Sequence, residues 1–439
     1  MYKIFASDEK VSYEVSELAK MFLPKEEFEV EIDNSSLTKN EQKRNAYDLL
    51  SSSLGKTLDW GILTGVRPTK LYNQLVRDGG IDHAIRILKD EYYLSDSKID
   101  LLYRTYLTQS KIFYDKSKNA IGLYVGIPFC PTRCLYCSFT SNKITKDAAT
   151  KYIKALAKEI DAVSDIFARK GKYVESIYIG GGTPTSLDEE DFETLLKLVS
   201  KSFVTEKLKE FTVECGRPDT ITAEKLKLIS KYGAKRISIN PQTMKAETLK
   251  LIGRNHTPEE IIDAYKLARN SGDYVINMDL ITGLPKETEA DFTNTLNEIV
   301  NLGPENITVH TLAVKRASRL IDEDKDYAFK QAGVVRNMLN AGSKILADAK
   351  FNPYYLYRQK HMAGNFENVG YCLDGYQSLY NVRIMEEDQT IIALGAGGIS
   401  KMYYPAENRI ERIPNVSNYE IYIERIDEMI QRKEIGIDD

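Results

Sequence analysis

From residue 123 onward, short apolar runs alternate with longer stretches whose apolar residues recur at helical spacing. The runs LYVGIP (123–128), ESIYIGGG (175–182), EFTVECG (210–216), RISINPQ (236–242), YVINMDLITGLP (274–285) and ENITVHTLAV (305–314) read as strands. Helical patterns fill the intervals at about 146–169, 187–202, 223–233, 246–270 and 289–302. Ser186 with Glu189, and Thr257 with Glu260, have the spacing of a capping box, and Pro258 suits a first helical position. Strands that alternate with helices pair in parallel through crossovers, and near-continuous apolar runs suit strands buried on both faces. Six such units predict an α/β fold, a partial (β/α)6 barrel. An open doubly wound sheet shares this local pattern, and periodicity does not separate the two.

The flanks have a different texture. Residues 1–118 are rich in Lys, Asp, Ser and Tyr, with helical patterns near 41–54, 81–92 and 97–115 around a turn-rich segment, WGILTGVRPTKL, at 60–71. They read as an N-terminal accessory domain, followed by the barrel at 119–350. Residues 351–439 are rich in Tyr and Gly at first, which predicts loops and short strands capping the barrel. The amphipathic tail at 417–434 predicts a helix.

Composition narrows the function classes. The 439 residues are 42% hydrophobic and 28% charged, as in an ordinary globular chain. A net charge of -4 argues against a nucleic-acid clamp. The uncharged run Asn119 to Thr132 is 14 residues long, short of the roughly 20 a membrane-spanning helix needs. The start, MYKIFASDEKVSYEV, lacks the pattern of a signal peptide, so a cytoplasmic protein is expected. Thiols stay reduced there, which favours ligand or core cysteines over disulfides.

Three of the five cysteines, Cys130, Cys134 and Cys137, fall within eight residues, directly after the first barrel strand. Barrels of this kind place their chemistry at such strand ends. Zinc prefers four ligands, commonly as paired knuckles, and no second pair exists. A [4Fe–4S] cluster takes four thiolates, so three would leave one iron open to a ligand from outside the protein.

The C-x3-C-x2-C spacing, with Tyr136 before the last cysteine, resembles the signature of the radical S-adenosylmethionine (SAM) superfamily. That resemblance implies a [4Fe–4S] cluster held by Cys130, Cys134 and Cys137, with SAM on the open iron. YVGIPFC, GGGTPTSL, TVECGRPD, SINPQTM, LIGRNHT and NMDLITGLPKET follow in order from 124 to 288. Together they resemble the oxygen-independent coproporphyrinogen III oxidase family, and ENVGYCLDG, the MEEDQT run and WGILTGVRPTK resemble its HemZ-type branch. The resemblance implies SAM contacts at Tyr124, Gly181, Gly182, Thr183, Glu214, Gln242, Arg254 and Asp279. It implies an oxidative decarboxylation of coproporphyrinogen III in haem biosynthesis, a tetrapyrrole substrate, and an electron donor such as flavodoxin or ferredoxin. Glycines at 180–182 would let backbone approach a ligand closely. Asp279, a carboxylate within an apolar strand, costs several kcal/mol unless it is paired or hydrogen-bonded.

A substrate with four carboxylates calls for arginines, and Arg133, Arg217, Lys315, Arg316 and Arg358 follow predicted strands or lie in the cap. Gly395, Ala396, Gly397 and Gly398 follow the apolar run IIAL and are expected at a substrate or second-SAM approach. Cys215 and Cys372 read as small buried residues, and His310 as a hydrogen-bonded core histidine. Residues 1–118 are expected to cover the barrel mouth or help bind the porphyrinogen.

Three departures bear on the reading. Phe139 stands where the oxidase branch has a fourth cysteine. Glu367 and Cys372 replace the His and Trp of an H-N-x-x-Y-W motif in the family's haem-chaperone branch. Asn240 replaces a glycine before Gln242. A haem-binding or haem-chaperone protein of the same fold, or a radical SAM enzyme acting on another tetrapyrrole, is the competing expectation.

Overall fold

The computed structural model describes residues 1–24, 27–33, 36–112, 117–137, 142–313, 327–359 and 363–438. Phe139, Lys315, Arg316 and His361 lie outside them. The chain begins with β1 (Tyr2–Ala6) and β2 (Phe28–Ile32), paired in parallel through the helix Glu9–Ala19. With the helix Lys39–Leu54 they bury Ile4, Val15, Leu18, Leu50 and Ile62 in a small core of their own. Three helices follow, Pro68–Gly79, Ile81–Asp90 and Asp96–Ser110, and their Tyr72, Leu88 and Leu102 join the main core instead. The helix at 68–79 falls partly within the segment expected to be turn-rich. Pro68 is its first residue, where a missing N–H has no intrahelical partner to lose.

The central strands are β3 (Ala120–Ile127), β4 (Phe129–Cys130), β5 (Asn142–Lys143), β6 (Tyr173–Gly181), β7 (Glu210–Gly216), β8 (Arg236–Ile239), β9 (Val275–Thr282) and β10 (Asn306–Thr311). β4 and β5 form a separate two-stranded pair. The others lie in the order β3-β6-β7-β8-β9-β10, all parallel. Each is placed next to its predecessor and the order never reverses. A doubly wound sheet reverses at a switch point, so the strand order selects the partial barrel. β11 (Asn352–Arg358) and β12 (Glu367–Cys372) extend the β10 edge in antiparallel fashion. β13 (Ile391–Leu394) adds a parallel strand beside β3, and β14 (Ile399–Tyr404) and β15 (Arg409–Pro414) continue from it. Among the described residues no helix is long and apolar enough to cross a membrane.

Some expected elements change. The capping box at Thr257 and Glu260 is present, with Pro258 at the start of its helix. The Ser186–Glu189 box is not. Asp188 caps that helix by accepting from the Asp191 N–H, and Ser186 ends a short 3-10 turn. The expected helix at 246–270 is two, Ala246–Leu251 and Pro258–Ser271, parted where Gly253 adopts a φ of +78°. The tail is also two helices, Tyr419–Glu424 and Ile426–Asp438. A helix at Ala332–Asp348 was not expected.

A second helix, Leu379–Glu386, plugs the barrel near the starts of its strands. Glu210, the first residue of β7, accepts from the Ser378 hydroxyl and from the backbone N–H groups of Leu379 and Tyr380 at 2.9, 2.8 and 3.1 Å. This places a carboxylate at the positive end of the helix. Arg383 is 1% exposed and pairs with Glu175 of β6 at 3.5 Å. The N-terminal residues brace this plug and the β12 edge. Asn73 donates to Glu386 at 2.7 Å, Arg67 pairs with Glu387 at 2.9 Å, and Lys98 and Trp60 both reach Glu367, at 2.5 and 2.7 Å.

Candidate functional site

The cysteine loop leaves β3 through Pro128 and is fixed by the pairing of β4 with β5. Farther along, the Leu135 N–H donates to Ile252 O at 2.9 Å. The loop also lies against the turn after β6: the Gly182 and Thr183 N–H groups donate to Ile127 O and Phe129 O, both at 2.8 Å. A Cβ on Gly182 would stand 2.3 Å from Phe129 O and 2.9 Å from Cys130 Sγ, so no larger residue fits. The glycine is therefore required by backbone packing on the cysteine loop as well as by any ligand. Thr183 Oγ1 lies 3.5 Å from Cys130 Sγ.

Arg254 sits in the turn that splits the expected 246–270 helix. Its guanidinium donates to Asn240 O at 3.3 Å and to the Tyr136 hydroxyl at 3.2 Å. Burial works against its charge, but Tyr136, Cys134 and Asp219 more than offset it and raise its pKa. Three buried polar atoms here have no hydrogen-bond partner: Arg254 Nε, Gln242 Oε1 and Asn240 Oδ1. Gln242 has a φ of +67°, rare for a side-chain-bearing residue, and its backbone exchanges hydrogen bonds with Asp279 O and the Ile281 N–H at 2.9 and 3.0 Å.

Facing these groups, Tyr124 of β3 stands in register with Tyr178 of β6, their rings stacked at 6.2 Å. Tyr380 of the plugging helix stacks on Tyr178 from below at 4.8 Å. The Tyr178 hydroxyl donates to Glu214 at 2.5 Å, and the Gly181 N–H donates to its other oxygen at 3.3 Å. Burial pushes the Glu214 carboxyl up to about 7, with nearby Asp279 adding to the shift. Asp279 moves the other way. Burial raises it, but His310, Asn277 and Thr308 together outweigh burial and hold it below its ordinary value. Its Oδ1 accepts from Asn277 at 2.7 Å, and its Oδ2 lies 3.7 Å from His310 Nε2.

These groups enclose one cavity of about 480 Å³, within the range that takes a single small-molecule ligand. Its lining includes Cys130, Cys134 and Cys137 and all eight expected SAM positions, Tyr124, Gly181, Gly182, Thr183, Glu214, Gln242, Arg254 and Asp279. No three metal-binding side chains among the described residues converge as a single ion would need. A cuboidal cluster is held at its corners, which asks its thiolates to ring a space rather than meet at a point. The unpartnered acceptors at Gln242 and Asn240 fit a ligand that brings its own donors. The near-neutral Glu214 fits a site whose charge is completed by a cation.

Other expectations are corrected. His310 is not a core histidine. It lines the cavity and keeps 28% of its side chain exposed. Arg358 is buried away from the cavity, donating to Asn365 O at 2.9 Å and lying 5.1 Å over the Trp60 ring. Arg217 does line the cavity, but Asp219 takes it in two bonds of 2.9 Å and Thr132 in a third of 2.6 Å. Arg133 is not among the lining residues. Gly395 packs backbone to backbone, since a Cβ there would stand 2.4 Å from Gly126 O, and none of Gly395 to Gly398 reaches the cavity. No described residue before Tyr124 lines the cavity; the described contacts of the N-terminal residues are with the plugging helix and the β12 edge. Cys215 and Cys372 are buried as expected, and burial pushes both thiols up to about 12.

Sequence reasoning missed the lower wall, formed by Tyr178, Tyr355, Tyr357, Asn368, Tyr380 and Met385 among others. The Tyr-rich run at 353–357 was a visible signal for two of them.

A singly wound six-strand barrel with a three-cysteine loop on its first strand defines the radical SAM class, and residues 124–299 match the radical SAM superfamily. The chain is 42% identical over 392 residues to the oxygen-independent coproporphyrinogen-III oxidase-like protein HemZ of Bacillus subtilis, covering 88% of this chain and 78% of that one. It is 34% identical over 193 residues to the heme chaperone HemW of the same organism, 44% of this chain and 50% of that one. The solved structure of coproporphyrinogen III oxidase HemN from Escherichia coli shares the fold, with a TM-score of 0.58 at 22% identity, covering 73% of this chain and 75% of that one. The chain belongs to the HemZ-type, oxygen-independent coproporphyrinogen III oxidase-like family of radical SAM proteins. Membership implies a [4Fe–4S] cluster and SAM.

Proposed function

We propose that this protein carries out the oxygen-independent oxidative decarboxylation of coproporphyrinogen III to protoporphyrinogen IX. The observation that carries the reading is the single cavity in which three cysteine side chains meet a glycine turn, a near-neutral buried carboxyl and unpartnered amide oxygens. Bound there, the cluster and SAM supply a 5′-deoxyadenosyl radical, with electrons from a flavodoxin- or ferredoxin-like donor. Cys130, Cys134 and Cys137 would hold the cluster. Gly181, Gly182, Thr183 and Glu214 would hold the SAM amino group, and Tyr124, Gln242, Arg254 and Asp279 the rest of SAM. Each of two propionates loses one hydrogen atom, CO2 and one further electron, and becomes a vinyl group. The protein's part in that chemistry is to orient the arm and keep water and oxygen away. The tyrosine floor and the plugging helix suit that task.

The competing reading is haem handling, the role of the heme chaperone HemW relatives. One observation speaks against it. Glu367, at the position of the chaperone branch's histidine, is 2% exposed and held by Lys98 and Trp60, and it does not line the cavity.

The test is an anaerobic assay of the reconstituted full chain with SAM, a reductant and coproporphyrinogen III. The expected result is 5′-deoxyadenosine together with a product lighter by two CO2 and four hydrogens. Deoxyadenosine without decarboxylation moves the substrate to another tetrapyrrole. Neither product, with a haem absorption band on added haem, overturns the enzyme reading.

A further inference from the structure

The proposed reaction leaves open how the protein recognises its substrate, and the inference here rests on that reading. A cavity of about 480 Å³ is too small to enclose a sulfonium nucleoside and a whole tetracarboxylate macrocycle together. The substrate therefore enters by an arm, and the arm ends in a carboxylate. Among the described lining residues the cationic side chains are Arg217 and Arg254. Arg217 is chelated by Asp219, and Arg254, which donates to Tyr136 and a backbone carbonyl, is assigned above to SAM through its remaining Nε.

His310 is different. It is the half-exposed position of β10, a strand otherwise buried along its length. It alternates onto the cavity side with Thr308, which pairs in register with Asp279 of β9. Its Nε2 lies 3.7 Å from Asp279 Oδ2, close enough to be oriented and too long for a full hydrogen bond. Asp279 is itself fixed by Asn277 at 2.7 Å, and Asn277 by Thr308 at 3.0 Å. A carboxylate behind one ring nitrogen sets the direction in which the other nitrogen points. Tyr355, Tyr357 and Asn368 line the same cavity, and Glu214 is the other acid there that His310 acts on.

We propose that His310 is the residue that binds a propionate carboxylate of the substrate, with Asp279 as the positioning residue behind it. The ring stands between two carboxylates, one from the protein and one from the arm. Such a hydrogen bond to a carboxylate accounts for about a tenfold share of affinity.

The experiment measures binding of coproporphyrin III, the stable oxidised form of the substrate, to the full reconstituted chain by fluorescence quenching, with SAM affinity measured in parallel by calorimetry. His310→Gln is expected to weaken porphyrin binding about tenfold or more, with SAM affinity and cluster absorbance unchanged. His310→Lys is expected to recover much of the loss. The tetramethyl ester, which has no carboxylate, is expected to bind wild type and His310→Gln alike. Unchanged porphyrin affinity in His310→Gln overturns the proposal, as does an equal loss of SAM affinity, which would make His310 a SAM residue. Should wild type fail to bind coproporphyrin III at all, the proposed reaction falls first and this assignment with it.

Discussion

At Glu159 both carboxylate oxygens are fully used. Lys433 and Asn415 donate to one at 2.5 and 2.9 Å, and the Gly395 N–H and the Tyr422 hydroxyl donate to the other at 2.7 and 2.6 Å. Glu159 and Lys433 are both 0% exposed. Around Arg254, equally polar groups are buried with partners missing at Gln242 Oε1, Asn240 Oδ1 and Arg254 Nε. Buried polar groups are nearly always satisfied, and leaving one bare costs about 1–3 kcal/mol. The first cluster is complete because the chain supplies every partner, and it ties the C-terminal helices to the helix Lys146–Lys170 and the turn after β13. The second is complete only with a ligand. Polarity and burial do not distinguish a structural cluster from a binding site here, and a missing partner does so only where it also faces the cavity, as at Gln242, Asn240 and Arg254, since Arg383 Nη1 lacks one in the packed plug.

The contrast can be broken at several points. The largest effect is expected from Cys134→Ala, which should abolish the iron–sulfur absorbance near the visible edge after reconstitution and all deoxyadenosine formation, with far-ultraviolet circular dichroism unchanged. Next is Lys433→Met. It strands a buried carboxylate, and chemical denaturation should show a loss of about 3–5 kcal/mol.

Glu214 should give a smaller, pH-dependent signal. Burial raises its folded pKa from the ordinary 4.5 to about 7, so the folded chain holds this proton more tightly than the unfolded one. Its contribution is therefore most favourable at low pH and is lost as pH rises from about 4.5 to about 7. Wild type without ligand should lose up to about 3 kcal/mol relative to Glu214→Gln between pH 5 and pH 8. Parallel slopes for the two proteins would remove Glu214 as a near-neutral carboxyl. The smallest stability effect belongs to Gln242→Met, which removes an atom that has no partner. Ligand-free stability should change by less than about 1 kcal/mol, while SAM affinity falls. A loss as large as that of Lys433→Met would erase the distinction between the two clusters.

The barrel strands were legible because parallel strands buried on both faces leave near-continuous apolar runs. Their order was not, because it depends on which neighbours pack, and local periodicity carries no such information. The upper cavity was legible for a related reason: its residues sit in short motifs at strand ends, from Tyr124 to Asp279. The lower wall is assembled from Tyr178, Tyr355 and Tyr380, which meet only after the Leu379–Glu386 helix enters the barrel. Arg358 and Gly395 were misread because an arginine or a glycine after a strand can serve packing as readily as a ligand. Only Trp60 for the one, and Gly126 for the other, reveal which. The helix at 68–79 was hidden by its own first residue, since a proline signals a turn and a helix start alike.

The neighbour of β3 on one side is β13, which the chain supplies late. Lys433, which completes the Glu159 cluster behind it, is made about 300 residues after Cys137. At roughly 5–20 residues per second that is an interval of about 15–60 s. For most of it, until β13 is made, β3 is an open sheet edge, and the loop holding the three thiols hangs from an unfinished wall. Birth order thus leaves the strand that carries the cysteine loop without its second neighbour until β13 has been made.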